Sequence, residues 1–219
     1  MKRFASPVAA IALALSLAAC SAPTRPLPYT GLDSSPVLRP SGKPTGRVPF
    51  EYSSPTDFKR YSKVLVEQVT IYRGADNQFE KVSEEGKREL ARYMQAEFGQ
   101  ALQQKFTNSS MPGPGTLRIA LTLTGAKPTK QFLGTFTKFD LGGGPYNVVQ
   151  SIRGKEGLMS GSVSYAVEVY DSLTNELLAA YVAKQYPSAM NVKASIGALS
   201  ASKTGLKKGA ADLLARLDS

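Results

Sequence analysis

Apolar and polar positions alternate with a period of two in two stretches of the chain, and they recur every three or four residues in two others. The period of two predicts strands at residues 116–124 and 161–171, and residues 176–186 are expected to return as the antiparallel partner of the second strand. The longer period predicts helices at residues 83–106 and 191–217. A run rich in β-branched residues at 61–73 predicts one more strand, ahead of the first helix.

These elements predict an α/β (α+β) domain in the form of a two-layer sandwich. A mixed sheet of four to five strands would pack against a long central helix and a C-terminal helix. Residues 172–175 are short and polar, so they predict a hairpin turn in which Asn175 takes a left-handed conformation. Glycines in the last helix indicate either close packing or a break into two helices. We expect that helix to cover the sheet of its own chain, with a coiled-coil partner as the alternative.

Residues 126–160 form the least regular part of the chain. The run Gly142-Gly143-Gly144 lacks the spacing and the following Lys-Ser/Thr of a phosphate-binding loop. Lys138, Arg153 and Lys155 could form a cluster that binds anions. The alternative is a solvated loop whose charges serve solubility.

Prolines and glycines dominate residues 21–57, and apolar residues are few. This composition predicts an extended tether with, at most, a docked patch around residues 29–32. The predicted organisation is therefore a signal segment at 1–19, a tether at 20–57 and a globular domain at 58–219.

The first residues have the layout of a secretory signal. Lys2 and Arg3 precede an apolar stretch at 8–17, which is far shorter than the ~20 residues of a membrane-spanning helix. Small residues then lead to Cys20, the only cysteine of the chain. An ordinary secreted protein with an incidental cysteine is the alternative interpretation.

The sequence Leu17-Ala18-Ala19-Cys20 resembles the lipobox of bacterial lipoproteins. The resemblance implies that diacylglycerol is attached to the Cys20 thiol, that the chain is cut before this residue and that the new amine is often acylated. Several acyl chains would give a stable membrane anchor, since each buried methylene contributes about 0.8 kcal/mol. In bacterial lipoproteins an aspartate directly after the lipidated cysteine favours retention in the inner membrane, and this chain has Ser21 there. We therefore expect the protein to be anchored in the inner leaflet of the outer membrane, facing the periplasm.

Composition narrows the function classes. The chain carries a formal charge of +10, which becomes +8 once residues 1–19 and their two cations are removed. Export makes nucleic acid an unexpected partner, so the counterpart of this charge would be an envelope protein, or an anionic wall polymer or lipopolysaccharide. A solvated basic surface without a specific ligand is the alternative.

The chain has no histidine and no tryptophan. A histidine-based triad and a His/Cys zinc site are therefore excluded, and we predict no catalytic residues, no metal site and no cofactor. An envelope hydrolase with two carboxylates is the alternative, and its candidates are Glu156, Glu168, Asp171 and Glu176.

Three stretches carry a family resemblance. They are residues 61–72 (YSKVLVEQVTIY), 161–171 (GSVSYAVEVYD) and 174–180 (TNELLAA), the last with Asn175 where glycine is usual. Together they resemble a group of proteobacterial lipoproteins that carry a domain of unknown function. The resemblance implies an exported lipoprotein domain and brings no catalytic residues with it. The expected function is a non-catalytic binding or scaffolding module of the cell envelope.

Overall fold

The structure is a computed structural model that describes residues 27–42, 47–129, 161–187 and 197–218. Within these ranges the strands form one nine-stranded sheet, and two α-helices lie on one of its faces. The strands are β1 Arg39–Pro40, β2 Phe50–Ser53, β3 Lys63–Val66, β4 Thr70–Ile71, β5 Gln78–Phe79, β6 Thr107–Asn108, β7 Thr116–Lys127, β8 Ser162–Asp171 and β9 Leu177–Gln185. The helices are α1 Glu84–Leu102 and α2 Ser200–Asp218, and a 3-10 turn spans Phe58–Arg60.

The centre of the sheet is antiparallel. β8 pairs with β7 on one side and with β9 on the other, and β8 and β9 form the expected hairpin. Asn175 has a φ of +57° in the turn between them, which confirms the predicted left-handed conformation. β7 runs three residues beyond the predicted strand end, to Lys127.

Residues 61–73 were expected to form one strand, and the structure corrects this. Within this range β3 and β4 are two separate short strands, and β5 follows at Gln78–Phe79; all three pair in parallel with successive parts of β7. Val66 pairs with Ile119 and Thr70 with Thr122, so four residue steps of this segment match three of β7. This extra residue prevents one regular strand from continuing through the region. These short strands, together with β1, β2 and β6, raise the strand count above the four to five predicted.

The helix α1 begins where the sequence predicts. The Ser83 side chain accepts a hydrogen bond from the Gly86 backbone N–H at 3.1 Å, which caps the first turn. The predicted apolar stripe faces the sheet, and its buried members are Leu90, Met94, Phe98 and Leu102. The helix ends at Leu102, one turn earlier than predicted, although Phe106 is still buried.

The helix α2 covers the same face of the sheet, as expected for packing on its own chain. Gly205 and Gly209 lie inside the helix and do not break it. A Cβ at Gly209 would come within 2.0 Å of the Tyr165 hydroxyl oxygen, and one at Gly205 within 2.9 Å of Val163. Both glycines therefore permit close helix–sheet packing. The predicted start of this helix, residues 191–196, lies outside the described residues.

Residues 27–42, which we call the strap, cover the other face of the sheet. The sequence predicts a tether up to residue 57, and here the structure differs. Tyr29, Leu32 and Leu38 are buried against that face in a second apolar cluster, and β2 pairs with β9 as part of the sheet. The fit is close because the covered face carries small side chains, including Ala166 and Ala180. The globular domain therefore includes residues that the tether was expected to hold.

Candidate interaction surface

The hairpin turn between β8 and β9 is fixed by hydrogen bonds to Asp171. One carboxylate oxygen accepts the backbone N–H groups of Leu173 and Thr174 at 2.9 and 3.0 Å. The Asn175 N–H donates to the Asp171 carbonyl at 3.0 Å. These bonds hold the turn in one conformation, and the Leu173 side chain remains 57% exposed.

A second loop, residues 109–115, lies directly beside this turn. The Ser172 hydroxyl joins the two, at 3.1 Å from both the N–H and the carbonyl oxygen of Gly113. The Ser172 N–H also donates to the Thr116 carbonyl at 3.1 Å. Within the loop, the Ser109 hydroxyl donates to the Met111 carbonyl at 2.6 Å. The two loops therefore form one connected surface.

This surface presents two large apolar side chains to solvent. Met111 is 70% exposed and Leu173 is 57% exposed, and Leu27 is the third such residue among those the structure describes. We call the surface formed by residues 109–115 and 172–176 the tip. An isolated exposed apolar residue is ordinary in a soluble protein, so it is the placement of these two on adjoining, hydrogen-bonded loops that makes the tip a candidate interaction surface.

Cations border the tip. Lys59, Arg60 and Lys63 are exposed, and the chain that carries them touches the tip, because the Ser62 and Lys63 N–H groups donate to the Gly115 carbonyl at 3.0 and 3.1 Å. Among the described residues, none of the three cations forms a salt bridge. The tip thus has an apolar centre and a margin with unpaired positive charge.

Asp171 is occupied by structural bonds and is not free to act on a ligand. The Tyr61 hydroxyl donates to its second oxygen at 2.9 Å. The Thr174 N–H, together with the Tyr61 hydroxyl and the Leu173 N–H, lowers the pKa of Asp171 below its ordinary value. Burial raises the pKa of Tyr61, and the hydrogen bond to Asp171 raises it further. The carboxylate therefore stays ionised at neutral pH and holds the turn.

The acids proposed for a two-carboxylate hydrolase do not converge where they are described. The buried Glu168 carboxylate accepts the Ser34 N–H of the strap at 2.7 Å, on the face of the sheet away from the helices. Asp171 holds the hairpin turn, and Glu176 is exposed at the end of the same turn. Glu156 lies outside the described residues. The three described acids thus have separate positions and no shared cleft.

Among the grooves on the described surface are four with volumes of about 400, 660, 520 and 440 Å³. The first lies between β4 and α1 and contains Arg88 and Arg92, but both arginines are already paired with Glu85. The third lies between the helices, and its lining includes three alanines of α2 together with Glu97, Lys207 and Asp218. Asp218 is already paired with Lys105.

All the site residues predicted from sequence lie outside the described residues. They are Cys20, Lys138, Arg153 and Lys155. Thr129 and Gly161, which flank the last three in the chain, lie at the end of the sheet opposite the tip, beside Lys127 and Ser162. Within the described ranges, no group of three or more ligand-type side chains could hold a metal ion, and neither helix is long and apolar enough to cross a bilayer.

Sequence reasoning did not single out Met111 and Leu173. Each is an apolar residue inside a short polar turn, next to proline or serine. An apolar side chain in such a turn has no core to enter, and this is the signal that could have identified both. Their adjacency depends on the pairing of β7 with β8, which no local pattern reveals.

The fold and the tip define an α/β domain with a surface suited to binding another macromolecule. The chain belongs to a family described as protein of unknown function (DUF3313), whose profile matches residues 28–213. This family match agrees with the expectation of an uncharacterised family, and it begins within the strap. No curated protein matches the chain.

Three solved structures are similar in outline. The PelC dodecamer from Paraburkholderia phytofirmans has 9% identity and a TM-score of 0.39, with 74% of this chain and 94% of that chain covered. Protein XCC0632 from Xanthomonas campestris has 10% identity and a TM-score of 0.36, with coverages of 74% and 87%. A neuraminyllactose-binding hemagglutinin homologue from Helicobacter pylori has 9% identity and a TM-score of 0.34, with coverages of 76% and 85%. The similarity is remote.

Proposed function

We propose that this chain is a non-catalytic, lipid-anchored protein of the cell envelope that binds a partner protein through its tip. The anchor is the diacylglyceryl group expected on Cys20, and the compartment is the periplasmic side of the outer membrane. The observation that carries the binding role is the pair of exposed apolar side chains, Met111 and Leu173, on two adjoining loops.

Hydrogen bonds hold the loops of the tip. Asp171 and Ser172 fix the backbone on both sides of Leu173, and Ser109 fixes Met111. A partner would therefore not need to order this backbone, and ordering costs reduce affinity in flexible sites. Burial of the two apolar side chains would contribute about 1.5–3 kcal/mol each.

The charge at the margin defines the chemistry of the partner. Lys59, Arg60 and Lys63 have no ion-pair partner among the described residues, whereas Asp57 and Asp171 accept backbone hydrogen bonds. The complementary surface would be a protein patch with an apolar centre and acidic residues around it. Such binding would weaken as salt is raised, because exposed charges are screened over about 8 Å at physiological ionic strength.

Site-specific photo-crosslinking in cells tests the tip directly. A photoreactive residue is placed at Leu173, with a matched control at Thr204, which is exposed on α2. We expect a discrete crosslinked protein from position 173 and none from position 204. The product should be lost when Met111→Ser is added and reduced by Lys59→Glu with Arg60→Glu. Identical products from both positions, or a product insensitive to these substitutions, would contradict the proposal.

The anchor is tested by metabolic labelling with a fatty-acid probe. The full chain should be labelled and should sediment with the outer membrane, whereas Cys20→Ser should be unlabelled. Ser21→Asp should retain label and shift the protein towards the inner membrane. An unlabelled wild-type chain would remove the anchor from the proposal and leave the tip to be judged by its own experiment.

The anionic polymer alternative makes a different prediction. A basic loop containing Lys138, Arg153 and Lys155 would bind isolated wall polymer or lipopolysaccharide without help from the tip. Neutralising these three residues would then abolish the binding, and Met111→Ser would not change it.

A further inference from the structure

The strap has a defined direction along the sheet. Tyr29 is fully buried, and its hydroxyl donates to the Gln78 side chain at 3.0 Å. Gln78 pairs with Gly125, two residues before the end of β7 at Lys127. Tyr29 therefore lies close to this end of the sheet, which we call the entry end.

Ser34 lies further along the same face. Its N–H donates to Glu168, which pairs with Ala120 of β7. Gly125 and Ala120 are five residues apart on β7, which corresponds to about 17 Å at ~3.3 Å per residue. The chain thus enters the domain at the entry end and runs towards the tip over these residues.

Several contacts fix the strap at the entry end. The Tyr29 ring packs edge-to-face on Tyr72 with a centroid distance of 5.4 Å. The Thr30 N–H donates to Asp76 and the Gly31 N–H donates to the Tyr72 hydroxyl, both at 3.0 Å. Burial has the largest effect on Tyr29 and raises its pKa to about 12, so its hydroxyl keeps its proton and remains a donor.

The docked strap leaves little chain between the lipid and the domain. Seven residue steps separate Cys20 from Leu27, and a fully extended chain spans at most ~3.6 Å per step, or about 25 Å. A tether that continued to residue 57 would allow a far larger distance between the lipid and the domain. The twelve residues of β7 extend about 40 Å from the entry end to the tip.

We infer that the entry end is the membrane-facing surface of the domain and that the tip points away from the bilayer, an inference that rests on the lipid anchor of the proposed function. The partner of the entry end is the lipid head-group surface. The chemistry there is compatible with this position: Leu27 is 42% exposed, and Lys81 is exposed and has no salt bridge among the described residues. Lys127 lies beside them, 3.9 Å from Glu80.

Reconstitution tests the orientation without relying on lipidation in the cell. The chain without residues 1–19 is coupled through Cys20 to a maleimide head-group lipid in phosphatidylcholine vesicles that also contain a head-group energy acceptor. A genetically encoded fluorescent residue replaces either Ala75, exposed at the entry end, or Leu173 at the tip. We expect energy transfer to be higher at position 75 by about twofold or more, because the two positions are separated by most of a ~40 Å sheet.

A matched variant carries thirty Gly/Ser residues inserted after Ser21. This insertion lengthens the reach without touching the strap, so the difference between the two positions should shrink. Equal transfer at positions 75 and 173 with the native linker, or higher transfer at 173, would overturn the inference. Since Cys20 is coupled chemically, that result is distinct from a failure of lipidation, which the fatty-acid label detects separately.

Discussion

Gly209→Ala should destabilise the domain, although alanine is the better helix former. The added methyl carbon would lie 2.0 Å from the Tyr165 hydroxyl oxygen and 2.7 Å from its Cζ. Since ordinary contacts are about 3.5 Å or longer, the helix or the ring must move by about 1.5 Å. The Tyr165 ring is fully buried and packs edge-to-face on Phe98 of α1 at 5.6 Å, so it has no free space to enter.

The magnitude follows from two opposing terms. Overpacking of a well-packed core costs about 1–3 kcal/mol, and the severity of this clash places it at the upper end. Replacing glycine by alanine within a helix recovers about 1 kcal/mol. The net loss is about 2 kcal/mol, which corresponds to a fall of about 4–8 °C in Tm for a chain of this size.

Gly99→Ala is the matched control. Gly99 lies within α1, and a Cβ at this position meets nothing within 4 Å. The same substitution should therefore stabilise the protein by about 0.5–1 kcal/mol. Urea and thermal unfolding of the Cys20→Ser chain without residues 1–19 would measure both changes. If Gly209→Ala were as stable as Gly99→Ala, the close packing of α2 on Tyr165 would be refuted.

Two further predictions concern the acids that hold the strap and the turn. Glu168→Gln removes the charge from the acceptor of the Ser34 N–H. The free energy of unfolding should therefore fall by about 1 kcal/mol, and hydrogen exchange at the Ser34 amide should accelerate by about fivefold. Unchanged exchange would mean that the strap is held without this bond. Asp171 has a lowered pKa, so the stability it contributes is present above its unfolded-state pKa of about 3.9 and is lost as pH falls through the lower folded-state pKa. Asp171→Asn should therefore be less stable than the wild type at pH 7, and the difference should narrow in urea titrations below about pH 4; a constant difference would contradict this role.

The elements of the sheet core and the helices were predictable because their patterns are local. β7 and β8 alternate clearly, and α1 carries its apolar stripe after a serine cap. Burial was harder to predict, since β8 is covered on both faces. The second face carries Ser164, Ala166 and Glu168, a set of mostly small or polar side chains that indicates a solvated surface until the strap is seen to cover it.

The strap was predicted only in part: the docked patch expected at residues 29–32 is present, but composition did not indicate that the rest of the strap and β2 also join the domain. Its prolines are typical of an extended tether, and its few apolar residues are too widely spaced to form a core of their own. Tyr29 and Leu32 instead complete a face that the rest of the chain leaves open, and that complementarity exists only in three dimensions. The break in the strand expected at residues 61–73 could not be predicted either, because the extra residue between Val66 and Thr70 is evident only from their pairing with β7.

The two features that carry the proposed function differ in how far sequence alone reveals them. Cys20 is identified by its local surroundings, since an apolar run and small residues precede it directly. Met111 and Leu173 become a site only because β7 pairs with β8 and Ser172 bonds to Gly113, which brings two distant loops together. With the proposed anchor on Cys20, the docking of the strap would link the two, because it would leave a short chain between the lipid and the domain and hold the entry end near the membrane. In that arrangement the tip, at the opposite end of a strand about 40 Å long, would be the surface best placed to meet a partner away from the bilayer.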